Sequence, residues 1–242
     1  MDKTVRVRIT RIRGTETRAE DDTVIAERET RLFLNGAEFA LTVMTPGDED
    51  LWAVGHLAAR GVIGSACDLA GVEVSEDGAV VTAVARGART SQAARERLRM
   101  RDLAALAGAA REGVRWLADA PLYTSTGGAH VAALVRADGT RLSRAEDVGR
   151  HNAVDKVLGW ALVNGVSLSE TILATSGRLT GEMVSKAGVA GVPVMASISA
   201  ATNRGVDEAL RYGVTLIGFV RGNAMNVYTG APASGAPAPR EC

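Results

Sequence analysis

The apolar positions in the first 85 residues are spaced mostly as in β-strands. Residues 5–13 alternate apolar and basic side chains, a period of two that predicts a half-buried strand. Two further pairs of β-rich runs flank Asn35-Gly36 and Asp77-Gly78, which are dipeptides typical of tight hairpin turns. Between these hairpins, Thr45-Pro46 followed by Asp48 has the pattern of a helix start. We therefore predict a β-rich α+β domain over residues 1–85.

The pattern changes after residue 120, where short apolar runs alternate with segments of helical period. The predicted strands are residues 130–135, 141–143, 171–175, 192–197, 214–220 and 225–228. The predicted helices are residues 152–163, 181–190 and 204–212. Apolar strands that alternate with helices indicate α/β layers around a largely buried sheet, so we expect an α/β domain over residues 120–229.

Two further segments lie outside these domains. Residues 86–119 are rich in Arg and Ala, which predicts a helical connection between the two domains. Residues 230–242 hold three of the six prolines of the chain and no large apolar side chain, which favours a disordered tail.

Composition excludes several classes of protein. The 242 residues are 46% hydrophobic, which is enough for a sizeable core. The 28 Lys and Arg residues balance the 28 Asp and Glu residues, whereas a general nucleic-acid binder usually carries a basic excess. No apolar run is long enough to span a bilayer and the N-terminus has no apolar secretory segment, so we expect a cytoplasmic protein without membrane insertion. Two cysteines, Cys67 and Cys242, are too few for a disulfide scaffold.

Three polar segments fall at predicted strand ends, where open α/β sheets bind ligands. The first is Gly127-Gly128, just before His130. Paired glycines would let backbone N–H groups approach a phosphate, although an ordinary tight turn uses the same pair.

The second segment, residues 146–152, concentrates acidic, basic and amide side chains before a predicted helix. Asp147 and His151 would form a proton-transfer pair, and Arg150 would hold an anion through two hydrogen bonds. Helix capping with a surface salt bridge is the alternative interpretation of the same residues.

The third set consists of loops that follow apolar strands and offer hydroxyls or arginines at the same predicted end of the sheet. Its main candidates are Ser176, Arg178, Ser199, Thr202 and Arg221. Several such loops at one edge indicate a pocket for an anion or a nucleotide. Glu182 and Lys186, four residues apart on the next helix, are expected to form only a helix-stabilising pair.

Motifs of several well-known sites are missing. The chain has no P-loop, no G-x-G-x-x-G after a strand and no H-x-E pattern of a zinc deaminase. The three histidines of the chain would be enough for a metal site. His56, however, lies on a predicted helix far from His130 and His151, so no metal is expected. A triad of Ser176, His151 and Asp147 can be drawn, but no nucleophile elbow supports it.

Longer motifs occupy these same segments. They are residues 126–133, 146–159, 176–178, 199–202, 216–219 and 227–229, together with Glu182, Met183, Val184 and Lys186. In these residues the chain resembles the FdhD/NarQ family of formate dehydrogenase accessory proteins, most specifically from Glu146 to Gly159. The N-terminal part resembles the family more loosely, at Asn35-Gly36, at Thr45-Pro46 and over residues 51–63.

The resemblance implies a cytidine-deaminase-like, three-layer α/β domain with a smaller N-terminal domain, usually in a homodimer. It also implies a cytoplasmic sulfurtransferase that takes persulfide sulfur from a cysteine desulfurase. The family passes this sulfur to the molybdenum or tungsten bis-guanine-dinucleotide cofactor of formate dehydrogenase. In the family the cofactor is bound in part by the segment that matches Phe219, Val220, Arg221, Gly222, Asn223 and Ala224.

The connection between the domains departs from the family. Family members carry a C-x-x-C-type motif in a mobile loop there, but residues 86–123 contain no cysteine, and persulfide transfer needs a thiolate. Cys67 stands where the family has no catalytic cysteine, and Cys242 ends a flexible tail. His56 and Arg60 replace an aromatic residue and a glutamate of the family.

Arginines stand where the family has its cysteine loop. They are Arg86, Arg89, Arg95, Arg97, Arg99 and Arg101. These residues form either a solvated helix face or a clamp for phosphates or an acidic partner.

We therefore hypothesise a family member that binds the cofactor through GDP-like groups and helps deliver it to a formate-dehydrogenase-like enzyme, without the sulfur-relay thiol. Arg150, Arg178 and Arg221 would meet phosphate or guanine groups. The backbone at Gly127-Gly128 would approach the ligand, which Asp147 and His151 would orient.

Three alternatives stay open. The first is an active sulfurtransferase that uses Cys67 or Cys242. The second is a non-catalytic partner of a cysteine-bearing paralogue. The third is a protein that binds another guanine ligand.

Overall fold

The computed structural model describes residues 2–86 and 103–230, and within them the strands form three sheets. The strands are β1 (Thr4–Arg13), β2 (Glu16–Ile25), β3 (Arg28–Leu34), β4 (Ala37–Met44), β5 (Leu69–Val74), β6 (Val80–Ala85), β7 (His130–Arg136), β8 (Arg141–Asp147), β9 (Thr171–Thr175), β10 (Val194–Ser197), β11 (Thr215–Arg221) and β12 (Ala224–Val227). The helices are α1 (Glu49–Ala59), α2 (Leu103–Leu117), α3 (Pro121–Thr126), α4 (Arg150–Val163), α5 (Gly181–Ala190) and α6 (Asn203–Tyr212). No helix within these ranges combines the length and the apolar character that crossing a membrane requires.

Some of the sequence predictions fall outside the described residues. They are the predictions for Arg89, Arg95, Arg97, Arg99, Arg101, residues 231–242 and Cys242. The predicted helical connection is confirmed where the structure describes it, since α2 covers its second half.

The N-terminal sheet has the strand order β4-β3-β6-β5 and packs on α1. Both predicted hairpins are confirmed, because β3 and β4 join at Asn35-Gly36, and β5 and β6 join across Gly78. Asn35 and Gly36 both have positive φ, as this type of two-residue turn requires. The core of this part includes Leu32, Met44, Trp52, Leu57 and Val81.

The predicted helix start at Thr45-Pro46 is wrong. α1 begins at Glu49, and Asp48 precedes it in a left-handed conformation without a side-chain capping bond. The backbone N–H of Thr45 instead donates to Asp147 at the end of β8, and its hydroxyl accepts from the backbone N–H of Val148. These long-range contacts prevail over the local capping pattern.

β1 and β2 form a separate two-stranded antiparallel ribbon. The predicted strand over residues 5–13 is thereby confirmed. No residue of the ribbon is fully buried, and oppositely charged side chains face each other across it. Arg8 lies 3.0 Å from Asp21, and Arg11 pairs with Glu20.

Six strands form the larger sheet in the order β12-β11-β10-β9-β7-β8. β9, β10 and β11 run parallel, whereas β7, β8 and β12 each run antiparallel to a neighbour. Alternate residues face opposite sides: Leu134 and Leu173 pack against α4, α5 and α6, while Val135 and Ile172 pack against α2. The predicted α/β layers are confirmed, and the likeness to cytidine deaminases stays a prediction.

The two predicted domains meet where α1 lies against α4. A Cβ atom added at Gly55 would lie 1.8 Å from the carbonyl oxygen of Asp155, and one added at Gly159 would lie 1.9 Å from that of Leu51. The two backbones are therefore almost in contact, and only glycine fits at either position. This contact fixes the N-terminal sheet beside the helical layer of the larger sheet.

Element boundaries near the predicted site differ from the sequence predictions. β8 continues to Asp147, because its last residue pairs with His130 on β7. α4 begins at Arg150, two residues earlier than predicted. The short helix α3, which has Pro121 at its first position, lies just before Gly127-Gly128 and is not among the predicted helices.

Candidate functional site

The predicted site segments meet at one edge of the larger sheet. β7 runs antiparallel to β9, so His130 at the start of β7 lies beside the carboxyl ends of the parallel strands. β8 returns along β7 and ends at Asp147, directly opposite His130. The loops after β9 and β10 carry Ser176 and Ser199 to the same edge, where Arg221 ends β11. The prediction of a common edge is therefore confirmed.

The loop after β9 fixes His130. The hydroxyl of Ser176 accepts a hydrogen bond from the backbone N–H of Val131 at 3.0 Å and lies 3.2 Å from Nδ1 of His130. Arg150 covers Gly177, where an added Cβ would lie 3.0 Å from Cδ of Arg150. This loop thus brings a histidine ring, a hydroxyl and a guanidinium group together.

The loops after the three parallel strands are hydrogen-bonded to one another. The hydroxyl of Ser197 donates to the carbonyl oxygen of Gly177 at 2.7 Å. The carbonyl oxygen of Ser199 accepts from the backbone N–H of Phe219 at 3.0 Å. The site edge is therefore a connected set of loops rather than independent turns.

The C-terminal end of β11 presents Phe219 and Arg221 together. Phe219 has a φ of 52°, in the left-handed region that costs an L-residue about 1–2 kcal/mol. Its ring is 37% exposed, and the guanidinium carbon of Arg221 lies 5.6 Å from the ring centroid. Nε of Arg221 donates to the carbonyl oxygen of Ile198 at 3.3 Å. The backbone thus holds an aromatic ring and a cation outward despite the strain.

The residues after Arg221 form the turn from β11 to β12. Gly222 has a positive φ of 54°, and the carbonyl oxygen of Asn223 accepts a hydrogen bond from Arg111 of α2 at 3.3 Å. Val220 is buried among residues of the α2 side of the sheet, and Ala224 begins β12. Only part of the predicted 219–224 segment is therefore free to contact a ligand through side chains.

Asp147 points away from the site, contrary to the prediction. It is fully buried, and Oδ2 lies 2.8 Å from Nζ of Lys156 and accepts from the backbone N–H of Thr45 at 3.2 Å. Its Oδ1 accepts from Gly149 at 2.9 Å and from Asn152 at 3.1 Å. The predicted proton-transfer pair of Asp147 with His151 is wrong, since these partners turn the carboxylate inward. The same contacts exclude a triad of Ser176, His151 and Asp147.

A second buried carboxylate lies between three helices. Nζ of Lys186 donates to Asp155 at 2.5 and 2.7 Å, so the prediction that Lys186 only pairs with Glu182 is wrong. His56 of α1 also contacts Asp155, which contradicts the expectation that His56 lies far from the other segments. A buried ammonium group is stable only beside a carboxylate, so Lys186 pairs with the buried Asp155 rather than with Glu182 on its own helix.

The two histidines at the edge have lowered pKa values. Burial lowers the pKa of His130, Arg150 lowers it further, and Asp147 acts in the opposite direction. Burial likewise lowers the pKa of His151, where Lys186 and Arg150 add to the shift and Glu182 opposes it. Nδ1 of His151 is buried without a hydrogen-bond partner among the described residues. In both rings burial therefore favours the neutral form.

Unpaired arginines distinguish this edge from the opposite one. Within residues 2–86 and 106–230, Arg150, Arg178 and Arg204 make no hydrogen bond or ion pair, and Nε of Arg150 is buried without a partner. At the opposite end of the strands, Arg136 lies 3.4 Å from Glu170 and Arg141 lies 2.7 Å from Glu112. The site edge therefore holds cations that a negatively charged ligand can pair with.

The remaining candidates have structural surroundings. Gly127 ends α3 with a positive φ of 64°, and a Cβ at Gly128 would lie 2.9 Å from the side chain of Ile25. Thr202 caps α6 by accepting from the backbone N–H of Gly205 at 3.1 Å. Cys67 is an exposed free cysteine in the short 3₁₀ turn Ala66–Asp68, which leads into β5.

Sequence reasoning missed Thr180 and Arg204, which lie at the starts of α5 and α6. The signal was present, because Thr180 directly precedes one predicted helix, Arg204 begins the next, and both helices follow strand ends. It also missed Lys156 as the partner of Asp147, since no spacing rule connects a strand end with the interior of the next helix.

Comparison with known proteins covers nearly the whole chain. The model of the FdhD/NarQ family matches residues 25–117 and 114–233. The sulfur carrier protein FdhD of Streptomyces coelicolor is 37% identical to this chain, and the match covers 94% of each protein. The sulfur carrier protein FdhD of Mycolicibacterium paratuberculosis is 35% identical over 96% of this chain and 98% of its own length.

One solved structure has the same fold throughout. It is the crystal structure of a formate dehydrogenase accessory protein from Desulfotalea psychrophila, which superposes with a TM-score of 0.81 at 28% identity. The match covers 96% of this chain and 98% of that one.

Proposed function

Since the chain belongs to the FdhD/NarQ family, we propose that it binds the guanine-dinucleotide form of the molybdenum or tungsten cofactor and supports maturation of a formate dehydrogenase. Its relatives are named sulfur carriers, and one solved relative is described as a formate dehydrogenase accessory protein. The cofactor is cargo in this function rather than a resident group, so the chain must bind and release it.

The observation that carries the proposal is the set of unpaired arginines at the site edge. Arg150 and Arg178 have no anionic partner in the described part of the chain, although the whole chain has as many acidic as basic residues. A buried guanidinium nitrogen without an acceptor costs free energy, which a bound phosphate would recover. The edge therefore fits the diphosphate of a dinucleotide.

The C-terminal end of β11 supports a base-binding role. The half-exposed ring of Phe219 offers a flat apolar surface, and Arg221 stacks on it at 5.6 Å. Aromatic rings and guanidinium planes both stack on nucleobases, with about 1–3 kcal/mol per base. The strained φ of Phe219 is maintained by its hydrogen bond to Ser199, as expected for a residue held in place for a ligand.

This chain has no cysteine at the place where the family carries the thiol of its sulfur-transfer step. Residues 86–123 contain no cysteine, and a persulfide forms only on a thiolate. Cys67 lies just before β5, at one edge of the N-terminal sheet. The strand at the opposite edge, β4, is the one that contacts Asn152 of the site segment. We therefore infer that this chain holds and delivers the cofactor, while any sulfur is supplied by another protein.

Calorimetric titration with GDP tests the proposal, because GDP carries one guanine and one diphosphate of the cofactor. We expect saturable binding that Arg221→Ala weakens by about 1–3 kcal/mol, the range for a lost charged hydrogen bond. Arg136→Ala is the matched control, because Arg136 lies at the opposite end of the strands. Absence of GDP binding by the wild-type chain, or equal weakening by the two variants, would overturn the proposal.

A further inference from the structure

The first turn of α4 is held by a buried carboxylate rather than by a conventional cap. Gly149 precedes the helix and has no side chain that could accept from its first N–H groups. Oδ1 of Asp147 accepts instead from the backbone N–H of Gly149 at 2.9 Å and from Nδ2 of Asn152, in the first turn, at 3.1 Å. A Cβ at Gly149 would lie 2.8 Å from Nδ2 of Asn152, so glycine leaves room for this contact. Asp147 therefore fixes where α4 begins.

The other carboxylate oxygen ties the same point to the N-terminal sheet. Oδ2 of Asp147 accepts from the backbone N–H of Thr45 at 3.2 Å and lies 2.8 Å from Nζ of Lys156. The same ammonium group donates to the carbonyl oxygen of Thr45 at 3.0 Å, and the hydroxyl of Thr45 accepts from the backbone N–H of Val148 at 3.0 Å. Because Thr45 directly follows β4, the end of β4 and the start of α4 form one hydrogen-bonded unit.

Asn152 adds a second bridge between the same two elements. Its Nδ2 also donates to the carbonyl oxygen of Val43 at 2.8 Å, and its Oδ1 accepts from the hydroxyl of Thr42 at 3.2 Å. Asn152 is 5% exposed, so water cannot easily replace these partners, and losing one of them leaves a buried polar group unsatisfied. The first turn of α4 is thus attached to β4 through both Asp147 and Asn152.

The ion pair at the centre of this network is fully buried. The side chains of Lys156 and Asp147 are 1% and 0% exposed. Replacing a buried ion pair by packed apolar side chains is often neutral or stabilising, so stability alone does not account for this one. What the pair fixes is the geometry of the first turn of α4. The first two residues of that turn are Arg150 and His151, of which Arg150 lies against Gly177 at the site edge.

We propose that Asp147 is a positioning residue, through which the N-terminal sheet sets the directions of Arg150 and His151. In this role neither Asp147 nor β4 touches the ligand. The inference deepens the proposed function, because it assigns the N-terminal sheet a part in ligand binding. Its GDP measurement rests on that function, whereas its second measurement does not.

A substitution of Thr45 tests this role while the buried ion pair stays complete. Asp147→Asn would leave Lys156 buried beside an uncharged amide, which threatens the fold itself. Thr45→Val keeps the shape of the side chain and the backbone bonds, but removes the hydroxyl that accepts from Val148. The segment that leads into α4 is then released from β4 without any change of charge.

Two measurements on the full chain report the result. Calorimetric titration shows GDP binding weakened about three- to tenfold in Thr45→Val, the effect of one lost hydrogen bond that positions Arg150. NMR titration of the histidine ring protons shows the pKa of His151, which burial lowers, rising toward 6.5 as the loosened turn exposes the ring. A uniform loss of stability would not move this pKa.

Two matched variants separate positioning from a general loss of a buried hydroxyl. Thr45→Ser keeps the hydroxyl that accepts from Val148. Thr171→Val removes a buried hydroxyl that donates to the carbonyl oxygen of Leu168 at 2.9 Å, at the opposite end of β9. Both variants keep GDP binding within about twofold of wild type and leave the pKa of His151 unchanged, because distant sites act independently.

An unchanged pKa of His151 in Thr45→Val would overturn the inference, whether or not the GDP affinity changes. Equal effects of Thr45→Val and Thr171→Val would also overturn it. If the wild-type chain does not bind GDP, the proposed function fails, and a raised pKa of His151 in Thr45→Val but not in Thr45→Ser would still support the positioning role.

Discussion

Nδ1 of His56 on α1 lies 2.9 Å from Oδ2 of Asp155 on α4, and Lys186 of α5 donates to the same carboxylate. His56 is 12% exposed, and Asp155 is fully buried. One buried carboxylate therefore joins α1, which packs on the N-terminal sheet, to two helices of the larger sheet. The charge of Asp155 is acceptable at this depth only because both partners are present.

Lys186→Met should destabilise the chain strongly. It removes the cation at 2.5 Å from Asp155 and leaves the carboxylate buried, so we expect a loss of about 3–5 kcal/mol in the free energy of unfolding. Urea denaturation measures the free energy of unfolding of the variant and of the wild type. The matched control is Arg8→Met, which breaks an exposed pair with Asp21 and should cost less than about 1 kcal/mol. Similar losses in the two variants would contradict a structural role for the buried pair.

Gly55→Ala should separate α1 from α4. The added methyl group would lie 1.8 Å from the carbonyl oxygen of Asp155, so the backbones must move apart, at a cost of about 1–3 kcal/mol or more. Gly108→Ala is the control, because Gly108 lies in α2 with nothing within 4 Å of an added Cβ. That change should stabilise the chain by about 0.5–1 kcal/mol, and thermal unfolding of both variants shows whether the signs are opposite.

Acidification should destabilise the fold just below pH 6.5. The pKa values of His130 and His151 are lowered from 6.5 by burial, so the unfolded chain binds more protons than the folded chain in this window. The stability they contribute is complete above pH 6.5 and is lost as the pH falls toward their lowered values.

Unfolding free energies between pH 7 and 5 measure this slope, with the double variant His130→Gln and His151→Gln beside the wild type. The slope should flatten in the double variant. Asp138→Asn serves as a control, because hydrogen bonds from Thr140 lower the pKa of Asp138 below 3.8, and its contribution is lost only in that more acidic range. An unchanged slope in the histidine variant would show that other groups titrate there.

Replacing both cysteines should leave enzyme maturation unchanged. Cys67→Ser with Cys242→Ser removes every thiol of the chain, and the proposed function needs none. Formate dehydrogenase activity in a strain that carries only the variant measures the effect, beside Arg221→Ala as the variant expected to fail. Loss of activity in the cysteine variant would instead support a sulfurtransferase that uses one of these thiols.

Local patterns predicted most of the fold. The hairpin at Asn35-Gly36 follows from the positive φ that both residues adopt readily, and the strand ends follow from apolar runs bounded by polar residues. The common edge of Ser176, Ser199 and Arg221 could also be predicted, because parallel strands carry their carboxyl ends to one side.

The buried charges could not be predicted from local spacing. Glu182 and Lys186 have a favourable helical spacing, yet Lys186 turns to Asp155, which is 31 residues away in the chain. Thr45 has the position of a cap, yet its N–H and hydroxyl bind the segment around Asp147, about a hundred residues later. Only tertiary packing determines which of these competing partners is used.

The close approach of α1 and α4 has a consequence for the order of events during synthesis. The helix that carries Gly55 and His56 leaves the ribosome before its partner helix, because His56 and Asp155 are 99 residues apart in the chain. At about 5–20 residues per second, the N-terminal part waits about 5–20 s with that helix face uncovered. The N-terminal part is therefore completed only after α4 has been made, and a nascent chain truncated before Arg150 should expose this face to chaperones.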